Sequence, residues 1–186
     1  MAFKDHTLTF SDTKIVDTSY DNMEVMMSWE APIMEKTAEY ICQSKGDILE
    51  IGFGMGMCAD YIQAQSVNSH TIVEIHPQII EKLNTWASGK SNVTVVEGDW
   101  WAVKDSLSTY DGIFLDTFND DSWLNFKAFV EAKAKSGAKV SHWNNFEKEF
   151  NEHGFDNIAF EQVSVTPDSN TYTNITSAYY MPKVSA

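Results

Sequence analysis

Arginine is missing from this chain of 186 residues, and all 13 of its basic residues are lysines. The chain therefore cannot clamp a phosphate or a carboxylate with the planar, paired hydrogen bonds of a guanidinium side chain. Acidic residues number 27, which gives a net charge of −14 and disfavours nucleic acid as a partner, because its phosphates would be repelled. A substrate handle recognised by complementary charge would be cationic. Acidity that only keeps the protein in solution is the alternative.

Cysteine and long apolar runs are also scarce. The only two cysteines, Cys42 and Cys58, have the spacing of neither a metal site nor a redox motif, and the five histidines are equally scattered. We therefore expect no metal site. No apolar run has the length of a membrane span, and the first residues do not resemble a signal peptide. The expectation is a cytoplasmic protein with free thiols and no membrane partner.

The rest of the chain is organised around a strand, a glycine turn and a helix at residues 46–61. An apolar run at 48–51 predicts a buried strand, and a helical pattern begins near Met57. Between them three glycines stand at alternate positions: Gly52, Gly54 and Gly56. A dinucleotide-binding G-x-G-x-x-G turn would need glycine at position 57, which disfavours a dehydrogenase. Glu74 ends the next apolar strand, where an acid can bind ribose hydroxyls; a solvated strand-end carboxylate is the alternative.

Strand and helix patterns alternate from residue 46 onward, which indicates parallel crossover units and a sheet covered on both faces. We predict strands near 47–51, 70–75, 93–96, 111–116 and 138–141, and helices near 56–65, 77–87, 101–107, 122–136 and 145–152. A further helix should begin near Pro32 and end at Gly46. Strand patterns at 158–165 and 174–181, joined by a turn at 166–170, predict an antiparallel hairpin. The expected fold is α/β, with a mostly parallel seven-stranded sheet.

Candidate functional residues follow the predicted strands, because open parallel sheets bind ligands beyond the carboxyl ends of their strands. Asp99 and Trp100 follow the third of these strands and could meet an adenine, although a tryptophan could equally pack in the core. Asp116 ends the fourth, where burying a carboxylate without a partner is costly. We therefore predict a working acid at Asp116, with a helix cap as the alternative.

Four segments resemble guanidinoacetate N-methyltransferase and the related fungal arginine methyltransferases. In chain order they are residues 25–34, 51–55, 110–118 and 178–180. The glycine turn resembles motif I of class I S-adenosylmethionine-dependent methyltransferases, which implies a Rossmann-like fold and S-adenosylmethionine as cofactor. The chain departs from the family's pattern at Met27, Ser28, Gly56 and Asn119.

The resemblance also implies roles for single residues. Glu30 and Asp116 would be the catalytic residues and bind a substrate guanidinium, Glu30 by orienting it and Asp116 by also accepting a proton. An acid favoured by the helix dipole is the alternative for Glu30. Backbone groups at Asn144 and Asn145 would meet the other end of the substrate. The expected cofactor-binding residues are Met26, Met34, Gly52, Phe53, Gly54, Met55, Gly56, Met57, Glu74, Ile75, Asp99, Trp100 and Asp116.

The sequence thus predicts an S-adenosylmethionine-dependent N-methyltransferase for a small guanidino compound such as guanidinoacetate, with S-adenosylhomocysteine as the other product. The first alternative is methylation of another amine or of arginine in a protein, and the second is a non-catalytic S-adenosylmethionine-binding protein. We expect a single domain over residues 1–186, with an N-terminal lid and helix at 1–45 and a Rossmann-like core at 46–186. The sequence does not decide whether residues 1–24 fold over the cofactor.

Overall fold

The computed structural model describes residues 2–168 and 173–186. It begins with a small antiparallel sheet of three strands, β1 (Leu8–Phe10), β2 (Lys14–Asp17) and β3 (Met23–Met27). A 3-10 turn at Ser28–Glu30 leads into helix α1 (Ala31–Ile41). Pro32 lies in the first turn of α1, where its missing N–H leaves no helical hydrogen bond unmade.

A seven-stranded sheet forms the rest of the chain, and helices alternate with its first five strands in chain order. The strands are β4 (Asp47–Ile51), β5 (Ser69–Glu74), β6 (Val93–Glu97), β7 (Tyr110–Leu115), β8 (Ala134–His142), β9 (Ile158–Ser164) and β10 (Ala178–Ser185). The helices are α2 (Met57–Ala64), α3 (Pro77–Ala87), α4 (Trp100–Val103) and α5 (Phe126–Lys133). None of the helices in the described residues combines the length and apolar character needed to cross a bilayer.

The strand order is β6-β5-β4-β7-β8-β10-β9. The first five strands run parallel, and β10 is antiparallel to both β8 and β9. This arrangement confirms the predicted α/β fold with a mostly parallel sheet and an antiparallel C-terminal hairpin. The order reverses between β4 and β7, and such a reversal opens a crevice at the carboxyl ends of the strands.

Two apolar cores lie on opposite faces of the sheet. Ile48 packs with residues of the first three helices, whereas its neighbour Leu49 packs with the aromatic residues of α4 and α5. Successive side chains of a strand point to opposite faces, so a continuous apolar run in β4 supplies both cores. This explains why the parallel strands could be predicted from short, unbroken apolar runs.

Three features of the C-terminal half differ from the sequence prediction. The helix predicted at 145–152 is wrong: Glu147 instead accepts backbone N–H bonds from Ser177 and Ala178 at 2.9 and 2.8 Å, which ties this segment to the start of β10. Strand β8 begins at Ala134, so α5 ends earlier than predicted. Strand β10 begins at Ala178, later than predicted, and the last two residues of the predicted 166–170 turn lie outside the described residues.

Candidate active site

A cavity of about 750 Å³ lies at the carboxyl ends of the strands where the sheet order reverses. Residues that follow β4, β5, β6 and β7 form its inner wall. Phe3, Tyr20 and Met23 of the N-terminal segment also border it. The cavity is therefore built between the two sheets, at the position where open α/β sheets bind ligands.

The glycine turn brings bare backbone to the cavity wall. Gly52 has a φ of +92°, and a Cβ there would lie 1.8 Å from the carbonyl oxygen of Asp116. At Gly54, with a φ of +54°, a Cβ would lie 2.3 Å from the sulfur of Met26. Only glycine fits both the conformation and the space at these positions. Met26, Gly52, Phe53 and Gly54 border the cavity, as do Met34 and Ile75 among the other predicted cofactor residues.

The following residues of the turn face elsewhere. Met55, Gly56 and Met57 do not border the cavity, although all three were predicted to contact the cofactor. The backbone N–H of Met55 donates to the sulfur of Met26 at 3.1 Å, and Gly56 precedes the first residue of α2. The cavity wall thus follows the first half of the turn, and cofactor contacts at these three residues stay a prediction.

Glu74 ends β5 beside the cavity and is buried. Its carboxylate accepts the backbone N–H of Phe53 at 2.9 Å, of Ile75 at 2.8 Å and of His76 at 2.9 Å. Burial raises the pKa of Glu74, and these hydrogen bonds oppose the rise. The carboxylate thereby joins the glycine turn to the turn after β5. It is not a solvated strand-end group, and its predicted ribose contact would add to this structural role.

Asp99 and Trp100 follow β6 on the same side of the cavity. Asp99 caps α4 by accepting the N–H of Ala102 at 2.8 Å. The indole N–H of Trp100 donates to Asp120 at 2.6 Å, and its ring packs edge-on against Phe129 in the core. Trp100 therefore packs in the core and also borders the cavity, and its contact with an adenine stays a prediction. With Ile75 and Ile79, this wall has an apolar face and a polar edge, which suits an adenine.

Asp116 directly follows β7, and its backbone N–H donates to the carbonyl of Ile51 at 2.9 Å. Its half-buried carboxyl borders the cavity and makes no side-chain hydrogen bond within the described part of the chain. Burial, followed by the negative charges of Glu50 and Glu74, raises the pKa of Asp116 to about 7. Because α5 begins only at Phe126, Asp116 does not cap a helix. A carboxyl so perturbed in a cavity is a candidate for chemistry.

Glu30, which precedes helix α1 in the N-terminal part of the chain, borders the same cavity. It ends the 3-10 turn before α1, is only 2% exposed and accepts the N–H of Met27 at 2.8 Å. Burial raises the pKa of the Tyr179 hydroxyl, and the negative charges of Asp116 and Glu30 raise it further. Glu30 and Asp116 therefore border one cavity, and their joint contact with a substrate stays a prediction. The N–H bond from Met27 gives Glu30 a structural role as well.

Among the described residues that line the cavity, the charged ones are all acidic. Eight carboxylates line it: Glu30, Glu50, Glu74, Asp99, Asp116, Asp120, Asp121 and Glu152. Among the described residues, no lysine or histidine borders it. Nearby carboxylates raise one another's pKa, and a cationic ligand relieves their repulsion. The arrangement therefore favours a cation.

The loop after β8 was predicted to meet the end of the substrate. Of the two predicted residues, Asn145 borders the cavity and Asn144 does not, and the side chain of Asn145 accepts the indole N–H of Trp143 at 2.7 Å. Asn144 is buried, and its backbone N–H donates to the hydroxyl of Tyr179 at 3.0 Å. The side-chain amide of Asn144 donates to the carbonyls of Lys148 and Tyr180 at 3.0 and 2.9 Å. Asn144 thus fixes the loop.

The family model described as guanidinoacetate N-methyltransferase matches residues 4–142, about three quarters of the chain. This chain belongs to that family. The match includes the glycine turn and both converging acids, and it ends with β8. The resemblance to class I S-adenosylmethionine-dependent methyltransferases is confirmed.

Curated relatives of this guanidinoacetate N-methyltransferase family member carry another name. "Protein arginine N-methyltransferase 2" of Aspergillus oryzae is 28% identical over 203 residues, which cover 96% of this chain and 48% of the relative. The protein of the same name from Candida glabrata is 36% identical over 123 residues, 59% of this chain and 28% of the relative. The chain thus spans about half the length, or less, of these relatives.

Solved structures show the same fold at low identity. Spermidine synthase from Thermotoga maritima has a TM-score of 0.65 at 16% identity, covering 96% of this chain and 72% of that one. A precorrin-6y C5,15-methyltransferase from Geobacter metallireducens has a TM-score of 0.60 at 16% identity, covering 82% and 86%. At these identities the likeness establishes the Rossmann-like fold alone.

Several residues around the site of this family member were not singled out from the sequence. Glu50 stands in the glycine motif, but only the structure shows its buried carboxylate 2.9 Å from His70. Asp120 accepts both the Trp100 indole N–H and, at 2.8 Å, the hydroxyl of Thr117. Tyr179 was quoted for the family resemblance without a role. Acids in the motif and in the loop after β7 were the available signal for Glu50 and Asp120.

Proposed function

We propose that this chain transfers a methyl group from S-adenosylmethionine to a nitrogen of a guanidinium group. The observation that carries the proposal is that Glu30 and Asp116, which are far apart in the chain, border one cavity whose charged residues are all acidic among the described residues. Small guanidino compounds, guanidinoacetate among them, are the acceptors predicted from the sequence. The name of the curated relatives supports a second acceptor, an arginine side chain of a protein.

The residues on the cavity wall fit S-adenosylmethionine. Gly52 and Gly54 border the cavity and have no side chain, so a ligand can approach bare backbone there. We assign the adenine to the surface of Ile75 and Trp100 and the ribose to the neighbourhood of Glu74. When bound, S-adenosylmethionine would supply an electrophilic methyl group on a sulfonium centre.

A guanidinium is a poor nucleophile, because its nitrogen lone pairs are delocalised and the group is protonated. With a pKa near ~13, reaching the neutral form at pH 7 would cost about 8 kcal/mol, at ~1.36 kcal/mol per unit. A favourable route removes the proton while the new nitrogen–carbon bond forms. This route needs a base beside the nitrogen and a partner that holds the planar cation in line.

Glu30 and Asp116 have environments suited to these unequal roles. Glu30 is fixed by the backbone N–H of Met27, so it can orient the guanidinium with paired hydrogen bonds. Asp116 has no competing side-chain hydrogen bond in the described residues, and its pKa near 7 makes it a matched base at neutral pH. Asp116 therefore accepts the proton that the nitrogen releases as it gains the methyl group.

We further propose that residues 1–45 act as a lid and helix over a 46–186 core in a single domain. The contacts of Phe3 support this proposal: its ring lies 4.9 Å from the ring of His76 and 5.1 Å from that of Phe118, at the cavity edge. A cytoplasmic location and the absence of nucleic-acid and membrane partners stay predictions from the charge and apolar pattern.

The test combines calorimetry with product mass. S-adenosylhomocysteine is titrated into the protein, a guanidino compound is added to the complex, and methylated product is measured by mass. Asp116→Asn should abolish turnover and leave S-adenosylhomocysteine binding largely intact, while Glu30→Gln should weaken acceptor binding. Asp105→Asn, at an exposed acid far from the cavity, is the matched control. Full activity of Asp116→Asn would overturn the assignment, and tight cofactor binding without any product would favour a non-catalytic binding protein.

A further inference from the structure

We propose that this site selects guanidinium groups carried on an uncharged or cationic chain and discriminates against guanidino compounds that bear a carboxylate. The inference rests on the proposed function, because it specifies the acceptor of the same site. It narrows the predicted acceptors and disfavours guanidinoacetate itself.

The first step is the charge of the cavity. A guanidinium bound between Glu30 and Asp116 would place a carboxylate at the other end of a short acceptor inside a wall of acids. No lysine or histidine of the described residues borders this wall, and the sequence contains no arginine. An anionic acceptor would therefore lose its hydration without gaining a cationic partner, and like charges would repel it.

The second step concerns backbone donors, which could replace a missing cation. Asn144 and Asn145 are the residues from which such donors were expected. The backbone N–H of Asn144 is already donated to Tyr179 at 3.0 Å, and its side-chain N–H groups go to Lys148 and Tyr180. Asn144 also lies outside the cavity wall. Of the two, Asn145 alone borders the cavity, and its neutral N–H groups cannot offset the charge of the surrounding carboxylates as a cation would.

The third step is the mouth of the cavity. Two large apolar side chains border it and face water, Tyr20 at 55% and Leu124 at 79% exposure. Asp121 is exposed beside them and Glu152 is half-buried. An aliphatic stem can pack on Tyr20 and Leu124 while a positive group at its end meets the two carboxylates, as long cationic side chains do at protein surfaces. The mouth therefore suits a chain with a second positive charge.

Two sources can supply this chemistry: a free small guanidine with an amine at its other end, or an arginine in a basic stretch of polypeptide. In both, the guanidinium enters the cavity and the additional positive charge stays at the mouth. An arginine residue within a polypeptide has no free carboxylate of its own. It therefore meets the requirement that no anionic group enters the interior of the cavity.

A charge series at similar chain length tests the inference. Guanidinobutyrate, butylguanidine and agmatine carry a negative, neutral and positive end, respectively. We expect kcat/KM to rise along this series, by about tenfold or more from guanidinobutyrate to agmatine, since one like-charge contact near a protein surface has this order of effect. Added salt should reduce the difference. Equal rates along the series, or guanidinobutyrate or guanidinoacetate as the best acceptor, would overturn the inference and uphold the proposed function.

Charge-neutralising variants test the mouth itself. Asp121→Asn and Glu152→Gln should each raise KM for agmatine by about twofold to fivefold, and by more than they raise KM for butylguanidine. Glu149→Gln, at an exposed acid of the same loop that does not border the cavity, is the matched control and should change nothing. Unchanged KM for agmatine in both mouth variants would refute the role of the mouth.

Peptides distinguish the two sources. A blocked arginine peptide flanked by lysines is compared with the same peptide flanked by glutamates and with agmatine. Methylation of the lysine-flanked peptide above the other two identifies a basic polypeptide as the acceptor, and agmatine above both peptides identifies a small cation; either result supports the inference. A preference for the glutamate-flanked peptide overturns it. Bound cofactor with no methylation of any guanidine would instead refute the proposed function.

Discussion

Replacing Asp116 by Asn should make this protein more stable while it abolishes turnover. The ionised carboxylate of Asp116 is destabilised in the folded chain by burial and by the charges of Glu50 and Glu74. Asparagine keeps the size of the side chain and cannot ionise, so it removes this cost. The same substitution removes the proposed proton acceptor. Stability and activity should therefore change in opposite directions, as expected where a site stores electrostatic strain.

The magnitude follows from the pKa of Asp116, which rises from 3.8 to about 7 on folding. Because the folded pKa is the higher one, the native state binds more protons than the unfolded state between these values, and stability falls as pH rises through them. Above pH 7 the full cost applies, about 4 kcal/mol for ~3 units at ~1.36 kcal/mol each. The carboxyl is partly exposed, so solvent screening reduces the expected gain of Asp116→Asn to about 2–4 kcal/mol.

Urea denaturation of the ligand-free protein at pH 4 and at pH 8 measures this gain. Asp116→Asn should match the original protein within about 0.5 kcal/mol at pH 4 and exceed it clearly at pH 8. Asp105→Asn, at an exposed carboxylate, should show no such difference between the two pH values. A gain that is the same at both pH values, or a less stable variant at pH 8, would refute the assignment of a strained carboxylate.

Three further predictions address other parts of the molecule. Burial lowers the pKa of His153 to about 4, so the original protein should lose stability as pH falls below 6.5. In urea denaturation, His153→Phe should lose about 2 kcal/mol less stability than the original protein between pH 8 and pH 5. Equal losses in the two proteins would contradict this prediction. Gly52→Ala should weaken S-adenosylhomocysteine binding at least about tenfold in calorimetry, because the new Cβ would meet the Asp116 carbonyl. Gly89 has a similar φ of +81° but nothing within 4 Å of a Cβ, so Gly89→Ala should not weaken binding. Phe3→Ala should weaken the same binding by about fivefold, and unchanged affinity would contradict a lid.

The main sheet and the glycine turn could be predicted because their signals are local. A buried parallel strand is a short apolar run, and the run at 48–51 is followed at once by glycines whose positive φ angles the turn requires. The small N-terminal sheet was not predicted, because its strands are short and β2 carries an irregular register against β3 between Ile15 and Val16. Alternation of apolar and polar residues is weak in strands of three to five residues.

The acidic residues of the site could be predicted from the sequence, whereas the hydrogen bonds around them could not. Asp116 and Glu74 end apolar strands, a position that a sequence reveals. The occupied hydrogen bonds of Asn144 depend on Tyr179 and Tyr180, which lie on a strand near the end of the chain. No local pattern contains such a pairing. The wrongly predicted helix at 145–152 has the same cause, because long-range bonds from Glu147 override a helical preference.

Two cations must meet in the proposed reaction, a sulfonium and a guanidinium, and this explains why so many acids surround the site. Unit charges about 4 Å apart repel each other by about 4 kcal/mol at an effective dielectric of ~20, and the barrier must absorb this repulsion unless the protein offsets it. Glu30, Glu50, Glu74 and Asp116 supply negative charge on several sides of the meeting point. In the ligand-free protein, burial raises the pKa of Asp116, and repulsion by the charges of Glu50 and Glu74 raises it further. Binding of the cations relieves that repulsion, lowers the pKa of Asp116 and leaves it ionised when the proton must be accepted.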